Sequence, residues 1–370
     1  MTSDVNAAPV SEQRLLSLDL FRGLTMFLLI AEGARLFGVM TDVAFDGTVI
    51  GFIGTQFHHH PWNGLRFWDL IQPFFMFIVG VALPLSVAQR EKRGDSYSKI
   101  LRHVLVRSLV LLLLGWGLYC IGPGKIVFRF QNVLAQLSVT YLIAFLVMRR
   151  AWWFQIGCSL GILLATDLAY RYCSIDGYDQ PFTQDQNLGA YVDMLISDEL
   201  SGGHWVSLNA IPTAAHTIWG VLAGQLLMSG ATSRRKLMIL FGAGISALAI
   251  GYGLDPVTPI IKRIATASFV LSSGGWCLIA LAMAYWWVDV LKFRRGVTFF
   301  AIVGMNPLFI YLFAEVGGSG LIHRIVKPFS MAAFGWAGDL YAQMLTGCLV
   351  WALLWGICYW LYRNRIFIRI

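Results

Sequence analysis

Charge is scarce in this sequence. Only 13% of its 370 residues are Asp, Glu, Lys or Arg, against about 25% in an ordinary soluble domain. A disordered chain needs more charge and less apolar content, so disorder is excluded. Paired cysteines are absent too. The six cysteines (Cys120, Cys158, Cys173, Cys277, Cys348 and Cys358) contain no CxxC spacing, and five fall in apolar segments. That excludes a disulfide-stapled secreted module and a zinc knuckle. There is no GxxxxGK[ST] and no GxGxxG between strand and helix, so no nucleotide-binding fingerprint is present. The polar start, residues 1–13, carries Asp4 and Glu12 and lacks the basic-then-apolar pattern of a signal peptide. No repeat suggests duplicated halves. What the chain does have is 57% apolar residues and a mean hydropathy of +0.66. A soluble fold has nowhere to bury so much apolar surface.

One bilayer-crossing helix takes about 20 apolar residues. The fold class expected is therefore all-α, a polytopic membrane bundle of about ten transmembrane helices. The candidate spans are 18–40, 67–89, 99–121, 132–148, 152–171, 207–229, 236–254, 266–288, 297–316 and 341–362. Pro73 and Pro212 fall in or near spans, where membrane helices tolerate them. Residues 1–13 read as a cytoplasmic tail and 14–370 as one transmembrane domain. The net charge of +8 points less to nucleic acid than to topology, because the basic residues sit in short clusters between apolar runs. They follow the second span (Arg90, Lys92, Arg93), the fourth (Arg149, Arg150), the sixth (Arg234, Arg235, Lys236), the eighth (Lys292, Arg294, Arg295) and the tenth (Arg363, Arg365, Arg369). The positive-inside rule then places both termini in the cytoplasm. Two long outer loops result, roughly 41–66 and 172–206, and loops of that length usually carry function.

Ionisable residues inside spans are costly and so are candidates for chemistry. Asp19 and Arg22 share a helix face at i, i+3, and Glu32 and Arg35 repeat that spacing. The densest group is His58-His59-His60-Pro61-Trp62-Asn63-Gly64-Leu65-Arg66-Phe67-Trp68-Asp69. Imidazole can take a proton near neutral pH, and a carboxylate would fix its tautomer. His59 and Asp69 are ten apart, so contact needs Pro61–Gly64 to turn back. Three adjacent histidines could also bind a metal, but no further ligand motif is visible and none is expected. They could equally be interfacial residues with no role. His103, His216 and His323 each stand alone, the usual setting of packing histidines.

Several blocks then resemble the heparan-α-glucosaminide N-acetyltransferase family and its bacterial relatives. They are Arg14-Leu15-Leu16-Ser17-Leu18-Asp19-Leu20-Phe21-Arg22-Gly23, His59-His60-Pro61-Trp62-Asn63-Gly64 with Asp69 and Pro73, and Val133-Leu134-Ala135-Gln136-Leu137 with Tyr141. Further along come Asn187-Leu188-Gly189-Ala190-Tyr191-Val192-Asp193, Gly220–Gly224, Lys262 with Thr266–Val270, and Gly304-Met305-Asn306-Pro307 with Tyr311. Three stretches depart from that pattern: Ile30-Ala31-Glu32-Gly33, Ala135-Gln136 and Gly203-His204-Trp205-Val206.

The resemblance implies a multi-pass acetyltransferase of the bacterial inner membrane. Acetyl-CoA is its co-substrate, with no metal, and an amino sugar or glycan on the far side is its acceptor. A homodimer in the lipid bilayer is also implied, and no nucleic acid partner. On that basis His59 and Asp69 are expected to be catalytic. His59 would act as general base or as covalent acetyl carrier, with Asp69 orienting it. Trp62, Asn63, Glu32, Asp193 and Asn306 are expected to bind substrate, and Arg22 and Lys262 the acetyl-CoA. The competing reading is a proton-coupled sugar transporter, drawn from the intramembrane carboxylates Asp19, Glu32, Asp69 and Glu315. A non-enzymatic scaffold is the third.

Overall fold

The computed structural model describes residues 15–368, and helices are the only extended regular elements among them. The expected tail, residues 1–13, lies outside them. The first helix, α1 (Leu16–Glu32), breaks into short α2 (Leu36–Val39) and α3 (Val49–Gln56). A single 3-10 turn, Phe67–Leu70, leads into α4 (Ile71–Lys92). Then follow α5 (Tyr97–Ile121), α6 (Val133–Val147), α7 (Trp152–Tyr172) and the short loop helix α8 (Leu188–Ser197). The second half holds α9 (Ala214–Met228), α10 (Ser233–Leu254), α11 (Ala267–Ala284), α12 (Val297–Gly304), α13 (Pro307–Glu315), α14 (Gly318–Phe334) and α15 (Asp339–Arg363).

Side-chain caps start many of these helices. Ser96, Asn132, Asn187, Thr232 and Thr266 each accept a hydrogen bond from a backbone N–H of the first turn, which satisfies donors a helix leaves open.

Among the described residues, six helices are long and apolar enough to cross a membrane: 67–92, α5, α7, α10, α11 with its extension to Val290, and α15. A bent pair adds a seventh candidate, because α12 and α13 meet at 67° around Met305–Asn306. The protein is thus a multi-pass membrane protein. The remaining three of the ten expected spans fall on α1, α6 and α9, of 17, 15 and 15 residues. Hydropathy overstated the first and sixth spans by merging helix with adjoining apolar loop, whereas the fourth span, 132–148, matches α6 to within one residue at each end.

The helices sort into an inner and an outer set. The most apolar stretch of 67–92 is 67% buried within the protein, whereas those of α7 and α10 are each 17% buried. On α5, Leu105, Leu109 and Leu113 form an exposed stripe at i, i+4, i+8, the pattern of a lipid-facing surface. Inside, Phe21, Phe74, Phe77 and Leu281 form one core cluster and Met26, Ile30, Ile310 and Val350 another.

One close crossing is α4 against α9, where Gly80 meets Gly220. A Cβ on Gly80 would overlap the Thr217 carbonyl and come within 3.0 Å of the Gly220 Cα. Small residues let membrane helices approach this closely. Gly80→Leu is expected to separate the two helices and lower stability by about 1–3 kcal/mol or more. The yield of monodisperse protein and its thermal midpoint would show it.

Candidate active site

The site is assembled around one buried carboxylate. Asp69 stands in the 3-10 turn that precedes α4 and is 1% exposed. Its Oδ2 accepts the backbone N–H of Arg66 at 2.9 Å and of His60 at 3.1 Å. Its Oδ1 lies 2.9 Å from His59 Nδ1. The segment 60–66 is therefore wrapped around the carboxylate, which is the turn the ten-residue spacing required. Gly64 allows it, with φ at +134°, and a Cβ there would press on the His60 ring at 2.7 Å.

This loop is fastened to a second one. Gly64 N–H donates to the Ile260 carbonyl at 2.8 Å, and Asn63 pairs with Ile261 in an isolated bridge. Thr266 shapes the second loop, accepting from Ile261 N–H at 3.0 Å and donating to the Pro259 carbonyl at 2.7 Å. The result brings buried Lys262 to 3.7 Å from Asp69 Oδ1 and 3.2 Å from His59 Nδ1. Trp205 covers the group. Its ring lies 5.3 Å from the His59 ring, edge to face, and the Lys262 and Arg263 cations sit 5.4 and 5.6 Å from its centre.

Proton positions follow from these distances. A carboxylate only accepts, so His59 Nδ1 carries the proton toward Asp69. That leaves the Nε2 lone pair available, and Nε2 has no hydrogen-bond partner among the described residues. Burial, then the Lys262 charge, push the His59 pKa down to about 4, against the opposing pull of Asp69. Burial likewise lowers Lys262 to about 8, although Asp69 and Glu32 favour its charge. At neutral pH the group is thus a neutral imidazole between an anion and a largely protonated amine.

His59 and Lys262 line a cavity of about 170 Å³, together with Glu32, Gln72, Tyr119, Gln131, Trp205, Tyr311 and Glu315. A second cavity of about 190 Å³ shares Phe75, Val133 and Tyr311 with the first, so these three stand at the neck where the two adjoin. The second is mostly apolar and reaches Arg22 and Arg107. Arg22 and Glu32 are ten residues apart on α1, about 15 Å along its axis, so the two cavities extend toward opposite ends of the bundle. Arg22 bonds Asp19 at 2.7 Å. Arg107 stacks on Tyr141 at 5.0 Å, while its buried Nε lacks a hydrogen-bond partner among the described residues.

The other residues singled out from sequence stand further off. Asn63 is exposed and tied to the loop bridge. Trp62 donates from Nε1 to the Phe182 carbonyl at 2.7 Å, pinning the loop to the 172–206 connection. Asp193 is buried on α8. It accepts from Gln131 Nε2 at 3.0 Å and from Ser207 N–H at 3.1 Å, so it reaches the cavity through Gln131. Burial raises its carboxyl pKa against these hydrogen bonds. Asn306 sits at the break between α12 and α13 and ties it to the segment 366–368. It donates to the Ile366 carbonyl at 2.9 Å and accepts from Ile368 N–H at 2.8 Å. Lys262 and Arg22, expected together on the donor, lie in different cavities. Gln72, Tyr119, Gln131 and Trp205 went unnoticed in the sequence. Only Trp205 had a signal, its place in a stretch that departs from the family pattern.

Fold and site together define a multi-pass helical membrane protein with a His–Asp–Lys group at the head of a two-chambered cavity. Residues 14–149 match the family described as Domain of unknown function (DUF5009). The chain is 26% identical to human (Homo sapiens) heparan-α-glucosaminide N-acetyltransferase, over 96% of its own length and 60% of the relative's. The mouse (Mus musculus) protein of the same name is 25% identical over 97% and 61%. The chain's curated homologues are thus heparan-α-glucosaminide N-acetyltransferases, as the motif blocks implied, and it spans about three-fifths of their length.

Proposed function

We propose that this protein is a membrane acyltransferase that moves an acetyl group from acetyl-CoA to the amine of an amino sugar or glycan. The carrying observation is the free Nε2 of His59, fixed by the 2.9 Å contact of Nδ1 with Asp69, at the wall of a cavity that meets a second, apolar one. In this reading the apolar chamber takes the pantetheine arm. Arg22 and Arg107 sit where CoA phosphates would arrive, and charge-assisted contacts are the strong ones for phosphate. The thioester carbonyl lies past the neck, beside His59.

As the amine nitrogen bonds the carbonyl carbon, its proton passes to Nε2. The C–S bond then breaks and that proton goes to the departing sulfur. The imidazolium formed is held between Asp69 and the cavity. If instead Nε2 attacks the carbonyl first, the C–S bond breaks and CoA leaves as thiolate; the amine then displaces the imidazole, and its proton goes to the thiolate. Glu32 and Glu315, on the same cavity wall, suit an acceptor that arrives as an ammonium ion, and either carboxylate can take its extra proton before the neutral amine attacks. The loop charges support a reading in which this chamber faces the outer side of a bacterial inner membrane while CoA approaches from the cytoplasm, and a homodimer fits the same reading.

Single-turnover transfer from radiolabelled acetyl-CoA to a panel of amino sugars tests it. His59→Ala is expected to slow transfer by about 10²–10⁴-fold. In the wild type at saturating acceptor, the rate should hold from pH 8 down to 6 and fall only toward pH 4, where Nε2 becomes protonated. CoA-independent sugar uptake with intact function in His59→Ala would replace this reading with a permease.

A further inference from the structure

We propose that the groove formed by Arg35, His323, Arg324 and Lys327 is a phosphate site for a membrane-anchored acceptor, so that the amino sugar acylated at His59 is presented on a lipid phosphate. This rests on the acyltransfer reading and adds the chemical class of the acceptor. The groove is open and has a volume of about 450 Å³. None of its four basic side chains has a carboxylate partner among the described residues. Burial, then the nearby Arg35 and Lys327 charges, lower the His323 pKa. Such a concentration of unpaired positive charge calls for an anion.

The supporting helix says which kind. On α14, Leu321, Ile325 and Phe329 recur every four residues and are 51%, 57% and 74% exposed. Ile322 and Val326 pack inward, and His323, Arg324 and Lys327 take the remaining face. A helix with exposed large apolar residues on one side and basic residues on another lies at a membrane interface, with its charges at headgroup depth. A soluble anion would use the cations but not the apolar stripe. A lipid phosphate uses both. The groove also lies on the same side of the protein as the catalytic group, with one cavity between them. An adjoining cavity of about 520 Å³ shares Arg35 with it and Glu32 with the His59 chamber. A phosphate at Arg35 and Arg324 would thus leave its sugar pointing along that path.

The test uses the full chain in phosphatidylcholine nanodiscs, with Arg35→Gln/Arg324→Gln/Lys327→Gln beside the wild type. Dodecyl phosphate should bind the wild type at least tenfold more tightly than the triple variant. It should also bind at least tenfold more tightly than inorganic phosphate. Dodecyl glucosaminyl phosphate should show a KM at least tenfold below that of neutral dodecyl glucosaminide, and the triple variant should erase that preference. Arg324→Lys, which keeps the charge, should retain it and control for misfolding. Equal KM values for the two acceptors in the wild type would overturn the proposal while acyl transfer stood. Inorganic phosphate binding as tightly as dodecyl phosphate would overturn it in favour of a soluble anion. Displacement by phosphatidylglycerol at equal affinity would overturn it in favour of a bulk-lipid site. Tight, triple-variant-sensitive binding of dodecyl phosphate with no acyl transfer to either acceptor would sink the acyltransfer reading and leave the phosphate site in place.

Discussion

Asp69→Asn should reduce acyl transfer by about 10⁴-fold, the loss a wrong imidazole tautomer imposes, with the helices intact by circular dichroism. The carboxylate now accepts three hydrogen bonds, from His60 N–H, Arg66 N–H and His59 Nδ1. An asparagine has one acceptor oxygen and one donor NH2. If the oxygen keeps the two backbone N–H groups, the NH2 faces Nδ1 and donates to it. Lys262, 3.2 Å from the same nitrogen, reinforces that choice. Nδ1 then has to be the lone-pair nitrogen, and the proton moves to Nε2. The nitrogen facing the cavity becomes a donor and can neither take a proton nor attack a thioester. Nitrogen-15 spectra of the imidazole would report the tautomer directly. Wild-type turnover in Asp69→Asn, or an unchanged tautomer, would refute the assignment.

Lys262→Met should destabilise the protein by about 3–5 kcal/mol, the cost of leaving one partner of a buried ion pair alone. Asp69 would keep its two backbone N–H donors but lose the only cation within 4 Å among the described residues. The same substitution should also move the pH profile. The Lys262 charge is one of the causes that hold His59 near 4. Removing it leaves Asp69 opposing burial, so the folded-state pKa of His59 rises. The fall in rate on acidification should then begin at higher pH than in the wild type. A merely structural lysine would lower the melting temperature and leave the profile where it was. Lys262→Arg should keep part of the charge effect but misfit the pocket, since a guanidinium needs more room than an ammonium.

The sequence made the core of the site legible because its chemistry is local. His59, the turn-forming Pro61–Gly64 and Asp69 lie within eleven residues, and a histidine ten positions from a carboxylate has one obvious way to reach it. Lys262 was visible through resemblance, but its place was not. It is 203 positions from His59, and nothing in its neighbours says which chamber its loop will enter. Gln72, Tyr119, Gln131 and Trp205 come from four different segments, and ordinary residues acquire meaning there only through packing. The membrane class followed from composition, whereas span length did not. Hydropathy sums apolar residues without regard to helix ends, so it carried the first span from Glu32 through the left-handed Arg35, with φ 59°, where the helix stops. It also read 297–316 as continuous, although Asn306 and Pro307 begin a new helix there.

The neck of Phe75, Val133 and Tyr311 bears on how such a protein sits in an energised membrane. Where two chambers approach from opposite ends, the electric potential drops mainly across the thin partition between them. A charge driven through it at 100 mV gains or loses about 2.3 kcal/mol. An acyl thioester is uncharged, so it would cross the partition without electrical work. A proton or a sodium ion would not, and of the three side chains there only Tyr311 carries a polar atom, far short of a hydration shell. Transfer of a neutral group through an insulating constriction would let a cell modify molecules on one face with a donor from the other, leaving its ion gradients intact.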